Sequence, residues 1–225
     1  MSLKEKLNII TIDGPACSGK GTLARMLANK LNYFHFDSGL LYRAVGYIFF
    51  QTIHQPHSKE TLEKELEFTT LNYNEKKLSL TWRDKLLNDD LLRSEHVSRW
   101  ASLVAQEEFV RAALLPIQRD IAHCVKDIVA DGRDMGTIVF PQAAYKFYLT
   151  ASLEIRAQRR FLSEQENDLT ATFEKTLHQL QERDLRDTQR LFAPLRKPEN
   201  AIEIDTSLFT IQQSLDLVLK QIEKA

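Results

Sequence analysis

The sequence predicts an α/β protein whose core is a parallel five-stranded sheet flanked by helices in three layers. Five short apolar runs are typical of buried strands, and the stretches between them carry apolar residues at helical spacing. Alternation of strands and helices favours a parallel sheet, because a helix usually connects parallel strands. The predicted strands lie at residues 7–12, 33–37, 127–131, 145–150 and 201–205.

The composition indicates one domain spanning residues 1–225. The chain has 225 residues, of which 43% are hydrophobic and 27% charged, and its net charge is −1. This balance provides no general basic field for nucleic acid, so any anion site must be built locally. The two cysteines offer no disulfide framework, and no apolar run could span a membrane. We therefore expect a cytoplasmic protein that binds neither nucleic acid nor a membrane. We also expect it to be a monomer.

Two helices are predicted in the first fifty residues. Leu23, Met26, Leu27 and Leu31 recur at helical spacing after the first strand. A second apolar helix face follows the strand at 33–37. Its residues are Leu40, Leu41, Ala44, Val45 and Ile48.

The strand–helix pattern is interrupted at about residues 66–88. Leu78, Leu80 and Trp82 alternate with polar residues there, and two polar breaks divide the stretch into a small antiparallel meander. We interpret this meander as an insertion, because it is too small to be an independent domain. Helical spacing returns from about residue 94 to residue 124. The last helix is predicted to begin with a capping box formed by Thr210 and Gln213.

Glycine is concentrated in three short stretches, each of which follows a predicted strand. The chain has seven glycines, and six of them lie in GPACSGKG (14–21), DSG (37–39) and DGRDMG (131–136). Glycine is expected where the backbone adopts positive φ or approaches a ligand closely. The distribution therefore predicts three ligand-facing loops.

The loop after the first strand, from Gly14 to Lys20, has the G-x-x-x-x-G-K spacing of a triphosphate-binding loop. The stretch from Gly19 to Ala24 also fits the dinucleotide fingerprint, and Asp37, roughly 20 positions on, keeps that alternative open. The interval between the strand and Gly19 is long for a tight dinucleotide turn, and the lysine suits a triphosphate. The residues predicted to hold the triphosphate are Gly14, Pro15, Ala16, Cys17, Ser18, Gly19, Lys20, Gly21 and Thr22.

Arginines form two clusters on the late predicted helices. By their spacing the members of each cluster share one helix face, and guanidinium groups clamp phosphate oxygens in pairs. A phosphate acceptor would need such cations and, being already ionised, no general base. A solvated helix face with ion pairs is the alternative for each cluster. The clusters are Arg156, Arg159 and Arg160, and Arg183, Arg186 and Arg190.

Asp131 and His35 are two further polar residues that belong to predicted strands. Asp131 ends the third strand, where a carboxylate can hold Mg²⁺ through water, although a turn-capping aspartate is the alternative. His35 lies inside the second strand, and we interpret it as structural. Cys17 is expected to have a passive packing role.

Four motifs together resemble those of the bacterial cytidylate kinases, nucleoside monophosphate kinases of the P-loop class. They are TIDGPACSGKGT, DSGLLYR, ADGRDMGTIVFP and ERDLRDTQRLFAPL, in this order between residue 9 and about residue 205. The resemblance implies a P-loop kinase core, an acceptor-binding region at 38–111 that contains the insertion, and a helical lid at 152–172. It also implies transfer of the γ-phosphoryl group of ATP to CMP or dCMP, with Mg²⁺, in pyrimidine nucleotide metabolism.

The resemblance implies roles for individual residues as well. Asp134 would face the base, where a carboxylate suits the amino group of cytosine and repels the oxygen of uracil. Thr22 and, through water, Asp131 would complete the Mg²⁺ site. The implied catalytic residues are Lys20, Arg133, Arg183 and Arg190. The implied CMP-binding residues are Ser38, Arg43, Ser102, Arg111, Arg133, Asp134, Arg183, Asp187 and Arg190. The lid arginines implied at ATP are Arg156, Arg159 and Arg160.

Three alternatives remain open at the level of the sequence. Another small-molecule P-loop kinase, acting on uridylate, adenylate or shikimate, shares the loop. A nucleotide-switch ATPase shares it too, but leaves the second arginine cluster without a role. A dinucleotide oxidoreductase would bind NAD in place of ATP.

Overall fold

The computed structural model describes residues 8–52, 59–74, 77–166 and 170–223. The strands are β1 (Asn8–Asp13), β2 (Phe34–Asp37), β3 (Thr69–Asn74), β4 (Lys77–Trp82), β5 (Lys85–Leu86), β6 (Asp127–Gly132), β7 (Tyr145–Thr150) and β8 (Ile202–Asp205). The helices are α1 (Lys20–Leu31), α2 (Gly39–Thr52), α3 (Lys59–Leu66), α4 (Asp89–Arg93), α5 (Glu95–Val104), α6 (Glu108–Val125), α7 (Leu153–Gln165), α8 (Phe173–Gln189) and α9 (Ile211–Glu223). A single π-helical turn, Met135–Val139, follows β6.

Five parallel strands form the central sheet in the order β2–β6–β1–β7–β8. Ile9 of β1 belongs to the hydrophobic core on one face, whereas Ile10 and Ile12 belong to the core on the other. A strand that is buried on both faces needs apolar residues at successive positions, which explains why this run does not alternate with polar residues. The predicted α/β fold with a five-stranded parallel sheet is confirmed.

Helices cover both faces of this sheet. On one face, α1 and α9 pack against β1 through Leu27 and Val218, which are fully buried. On the other face, α2, α5 and α6 share a hydrophobic core with β2. Phe36 of β2 and Phe49 of α2 are fully buried in this core. The helical stretch expected from residue 94 to 124 is two helices, because α5 ends at Val104 before α6 begins.

The strands β3, β4 and β5 form a separate antiparallel sheet where the insertion was predicted. Leu78, Leu80 and Trp82 of this sheet are buried in the same core as α2, so the alternation in the sequence marks its inner face. Glu65 of α3 accepts a hydrogen bond from Trp82 Nε1 at 2.9 Å and pairs with Arg83 at 2.7 Å. These bonds fix α3 to the insertion.

The capping box at the start of α9 is also present. The Thr210 N–H donates to Gln213 Oε1 at 2.8 Å, and the Gln213 N–H donates to Thr210 Oγ1 at 3.2 Å. Two N–H groups that have no partner within the helix are thereby satisfied.

The carboxyl edge of the central sheet brings the three glycine-containing loops together. Asp13 of β1 lies opposite Gly132 of β6, and Asp37 of β2 lies opposite Asp131. Because β1 is flanked by β6 and β7, the loop that follows β1 lies at the middle of this edge. Ligands of open α/β sheets bind in such a crevice.

Candidate functional site

The loop between β1 and α1 has a backbone that depends on its glycines. Gly19 has a φ of 87°, and a side chain at Gly14 would place its Cβ 2.2 Å from the carbonyl oxygen of Leu149. The loop leads directly into α1, whose first N–H groups and dipole favour an anion. Lys20, the first residue of α1, curls back and donates from Nζ to the carbonyl of Pro15 at 3.1 Å.

The Lys20 ammonium lies near charges of both signs. Burial, followed by the charge of Arg133, lowers the pKa of Lys20 to about 7, although Asp131 acts in the opposite direction. An ammonium group whose charge is disfavoured in this way gains free energy when a polyanion binds beside it. The loop is therefore suited electrostatically to phosphates.

The arginines of α7 lie against the loop. Arg156 is buried and donates from Nη1 to the carbonyl of Ala16 at 3.2 Å, while Nη2 lies 2.6 Å from Asp184 of α8. Arg159 donates from Nη2 to the carbonyl of Thr206 at 2.7 Å. Arg160 differs from both, because its only described partner is Glu164 on the same helix, 2.5 Å from Nε. Arg160 alone of this cluster lines the adjoining cavity.

Two adjoining cavities open at this edge of the sheet. The outer cavity, of about 690 Å³, is lined by Cys17 and Lys20 of the loop and by Arg160 of α7. The inner cavity, of about 190 Å³, lies between the loops after β2 and β6 and the end of α8. All nine side chains that were expected to bind CMP line the inner cavity. They are Ser38, Arg43, Ser102, Arg111, Arg133, Asp134, Arg183, Asp187 and Arg190.

Two arginine–carboxylate pairs shape the inner cavity. Arg111 of α6 donates from Nη2 to Asp134 Oδ2, and its guanidinium carbon lies 5.3 Å from the centre of the Tyr42 ring. Arg133 donates from Nε to Asp187 Oδ2 at 2.8 Å. Burial opposes the ionised form of Asp187, but the charge of Arg133 outweighs it and lowers the pKa of that carboxyl. The two pairs lie on different elements, since Asp187 belongs to α8 and Asp134 to the loop after β6.

Three other arginines of the inner cavity have buried N–H groups without a hydrogen-bond partner among the described residues. They are Arg43 at Nε, Arg183 at Nε and Arg190 at Nη2. Burial, followed by the charge of Arg133, lowers the pKa of Arg183 to about 10. Leaving a buried donor unpaired costs about 1–3 kcal/mol, and more for a charged group. Such donors are suited to the oxygens of a phosphate.

Basic residues mark the junction of the two cavities. Five residues line both of them, and all five are basic. A group that passes from a ligand in one cavity to a ligand in the other would cross this junction, where charge on its oxygens is neutralised. The shared residues are Lys20, Arg43, Arg93, Arg133 and Arg183.

Asp131 lies beside the phosphate loop and offers oxygen ligands. Its Oδ1 lies 2.8 Å from His35 Nε2, while a Cβ added at Gly21 would lie 3.5 Å from its Oδ2. Ser38 donates from Oγ to the backbone carbonyl of Asp131 at 2.8 Å. No group of three or more histidine, cysteine or acidic side chains suited to a metal occurs in the described ranges. The oxygens of Asp131 suit Mg²⁺, which binds through few protein oxygens together with phosphates and water. Thr22 lies in the first turn of α1 and lines neither cavity.

The structure adds residues to this edge that the sequence did not assign. Arg93 at the end of α4 donates from Nη2 to Asp37 Oδ2 at 3.1 Å, and Arg186 donates from Nε to Ser102 Oγ at 3.2 Å. Arg186 belongs to the second arginine cluster, so its spacing had marked it without giving it a role. Arg93 lies in no motif, and no signal in the sequence could have identified it.

Comparisons with known proteins show which family the chain is similar to. A family model described as "Cytidylate kinase" matches residues 10–224. A cytidylate kinase of Thermodesulfovibrio yellowstonii is 38% identical over 95% of this chain and 97% of its own length. A cytidylate kinase of Burkholderia thailandensis is 40% identical over 94% of this chain and 91% of its own. An uncharacterised protein from Eubacterium ventriosum, at 13% identity, shares the fold with a TM-score of 0.50 over 96% of this chain and 99% of that one.

Proposed function

Because the chain belongs to the cytidylate kinase family, we infer that it transfers the γ-phosphoryl group of ATP to CMP or dCMP, giving ADP and CDP or dCDP. The protein is an ATP-dependent kinase of pyrimidine nucleotide metabolism. The observation that carries this conclusion is the junction of the two cavities, which is lined on both sides by the same five basic residues. Phosphoryl transfer depends mainly on positioning and on charge neutralisation at such a place.

The donor is assigned to the outer cavity and the phosphate loop. The N–H groups of the loop from Gly14 to Thr22, in which Pro15 has none, surround the phosphates of ATP. The Lys20 ammonium lies at the oxygens of the transferred group. Arg160 faces the outer cavity and contacts ATP directly. Arg156 and Arg159 contribute by holding the loop through its carbonyls.

The acceptor is assigned to the inner cavity. Asp134 and Arg111 read cytosine together with Ser102, because a carboxylate accepts from the exocyclic amino group while the guanidinium and hydroxyl donate to the ring acceptors. Asp187 and Arg183 lie at the ribose. The unpaired N–H groups of Arg43 and Arg190 bind the acceptor phosphate, and Ser38, which donates to the Asp131 carbonyl, lines the cavity beside them.

The reaction needs no general base in this arrangement. The attacking oxygen belongs to a phosphate that is already ionised at neutral pH. Arg43 and Arg190 orient it, while Lys20, Arg133 and Arg183 neutralise the charge that spreads over the transferred group. Asp187 keeps Arg133 in place through its 2.8 Å hydrogen bond.

A magnesium ion completes the donor site. Thr22 supplies a hydroxyl and Asp131 a carboxylate that acts through water, beside the phosphates bound by the loop. When it is bound, Mg²⁺ neutralises phosphate charge and orients the triphosphate. Gly21 has no side chain, and the Asp131 oxygen that faces the loop, Oδ2, is therefore accessible from the loop.

The proposed division of the chain follows the two ligands. Residues 38–111 form the acceptor-binding region with the insertion at about 66–88, and residues 152–172 form the lid, within a single kinase domain at 1–225. Of these ranges, residues 1–7, 53–58, 75–76, 167–169 and 224–225 lie outside the described residues. No helix in the described ranges is long and apolar enough to cross a membrane. We place the protein in the cytoplasm, where ATP and CMP occur, as a monomer that does not bind nucleic acid.

The test of the function is ADP release measured with different acceptors. The wild-type protein should release ADP with CMP and dCMP, and much more slowly with UMP, AMP, shikimate or no acceptor. Release that does not depend on an acceptor would instead indicate a switch ATPase. Lys20→Ala should reduce turnover at least about 100-fold, since a transition-state interaction of 2.7 kcal/mol or more is removed. Its circular-dichroism spectrum and its melting temperature serve as controls for folding.

A further inference from the structure

His35 makes a specific contact with the carboxylate that lies beside the phosphate loop. His35 is on β2, the edge strand next to β6, and its Nε2 lies 2.8 Å from Asp131 Oδ1. The Asp131 side chain is 5% exposed and that of His35 20% exposed, so little solvent competes for this bond. An ionised carboxylate only accepts hydrogen bonds, so the ring donates from Nε2 whether the imidazole is neutral or charged.

The two oxygens of Asp131 have different surroundings. Oδ1 is held by His35, whereas Oδ2 faces the backbone of Gly21, where even an added Cβ would remain 3.5 Å away. The Asp131 backbone is fixed independently, because its carbonyl accepts from Ser38 Oγ and from the Ser38 N–H. Rotation of the carboxyl group is therefore the freedom that remains, and the hydrogen bond from His35 restricts it.

We propose that His35 is a positioning residue that fixes the Asp131 carboxylate with one oxygen directed at the phosphate loop, and thereby raises the affinity of the loop for the divalent cation of ATP. This inference rests on the proposed function. His35 lines neither nucleotide cavity, so the hydrogen bond to Asp131 is the contact through which it positions the loop-facing oxygen. Groups that orient a metal-bound carboxylate typically contribute 10–100-fold to metal affinity. Because Asp131 acts through water, we expect an effect at the lower end, about 10-fold.

The test measures divalent-cation binding without turnover. Mn²⁺ replaces Mg²⁺, and free Mn²⁺ is quantified by electron paramagnetic resonance in the presence of a non-hydrolysable ATP analogue and no acceptor. His35→Leu, which keeps the volume and removes the donor, should weaken Mn²⁺ binding to the protein–analogue complex about 10-fold. Affinity for the analogue without metal should stay unchanged, because His35 does not line its cavity.

Matched variants separate positioning from general stability. His35→Gln carries an amide donor close to the position of Nε2 and should restore Mn²⁺ binding to within about 2–3-fold of the wild type. Phe34→Leu disturbs the buried neighbour on the same strand and should lower the melting temperature without changing Mn²⁺ affinity. If His35→Leu does not fold, His35→Asn replaces it, because its amide is too short to reach Asp131.

The Mn²⁺ affinities of these variants decide whether His35 positions Asp131 or only stabilises the fold. Weakening by His35→Leu with recovery in His35→Gln supports the proposal. Unchanged Mn²⁺ affinity in His35→Leu overturns it. The proposal is also overturned if His35→Gln and Phe34→Leu weaken Mn²⁺ binding as much as His35→Leu does. A wild-type protein that does not bind the ATP analogue at all would instead overturn the proposed function.

Discussion

The proposed base-reading pair, Arg111 and Asp134, is buried. Both side chains are at most 9% exposed, so an acceptor base meets a fixed carboxylate and a fixed guanidinium. Asp134→Asn keeps the size but removes the charge, and an amide can present a donor to uracil. We expect the ratio of kcat/KM for CMP over UMP to fall about 10-fold or more, because a polar mismatch in a buried site is costly. Steady-state kinetics with both acceptors measure it.

A control distinguishes base reading from general damage at the site. Asp187→Asn changes a carboxylate of the same cavity that pairs with Arg133 and is assigned to the ribose. It should lower kcat/KM for CMP and UMP by similar factors. An unchanged CMP preference in Asp134→Asn would show that Asp134 does not read the base.

Asp13 provides a prediction about stability and pH. Burial raises the pKa of Asp13 to about 7, against the lowering effect of the Gly136 and Met135 N–H groups that donate to it. The unfolded chain loses this proton near pH 4, so between about pH 4 and 7 the folded state holds more protons. The stability provided by Asp13 is therefore fully present below pH 4 and is lost as pH rises through 7.

Asp13→Asn should remove this pH dependence. From pH 5 to pH 7.5, the free energy of unfolding of the wild type should fall relative to that of Asp13→Asn by about 2–3 kcal/mol, as urea denaturation at both pH values would measure. Lys20, whose pKa is lowered to about 7, titrates alike in both proteins and cancels in the difference. A constant difference across this range would mean that Asp13 is ionised throughout.

Among the elements, α7 stabilises the phosphate loop and joins it to α8. Arg156 is 6% exposed and connects the carbonyl of Ala16 to Asp184, whereas Arg160 is bound within its own helix. Arg156→Leu should lower the free energy of unfolding by about 2 kcal/mol or more, because it leaves a largely buried Asp184 without its partner. It should also raise KM for ATP, since the loop loses its support.

Arg160→Leu is the matched change on the same helix. Its ion pair with Glu164 is partly solvated, so its loss should change stability by less than about 1 kcal/mol. Its effect should appear in ATP kinetics alone. Equal losses of stability in the two variants, measured by urea denaturation, would contradict the different roles assigned to them.

The elements also show what a sequence can predict. The strands were predictable because burial on both faces leaves a continuous apolar run, and the insertion because burial on one face leaves alternation. The motif residues were identified by resemblance, and all nine assigned to CMP line one cavity. His35 and Arg93 were not assigned to the site, because their partners lie 96 and 56 residues away and no local pattern encodes such contacts.

At the scale of the whole molecule, positive charge is concentrated in the cleft, although the net charge of the chain is close to zero. The chain has a net charge of −1, yet seven basic and three acidic residues line the outer cavity, and seven basic and four acidic residues line the inner one. A cleft that is lined by one sign of charge focuses the electric field and raises the local concentration of an anionic substrate. Both substrates of this kinase are anions, so the cleft attracts each of them although the protein as a whole does not.

This concentration of charge predicts a salt dependence that belongs to the cleft. When KCl rises from about 20 to 500 mM, kcat/KM for CMP should fall roughly 10-fold, because the Debye length shrinks from about 20 Å to about 4 Å. Arg93→Gln removes a charge at the junction that is about half exposed, and it should flatten the slope. Arg25→Gln removes an exposed charge of α1 that lines neither cavity, and it should leave the slope unchanged. Equal flattening by both changes would mean that overall charge, rather than its concentration in the cleft, attracts the nucleotides.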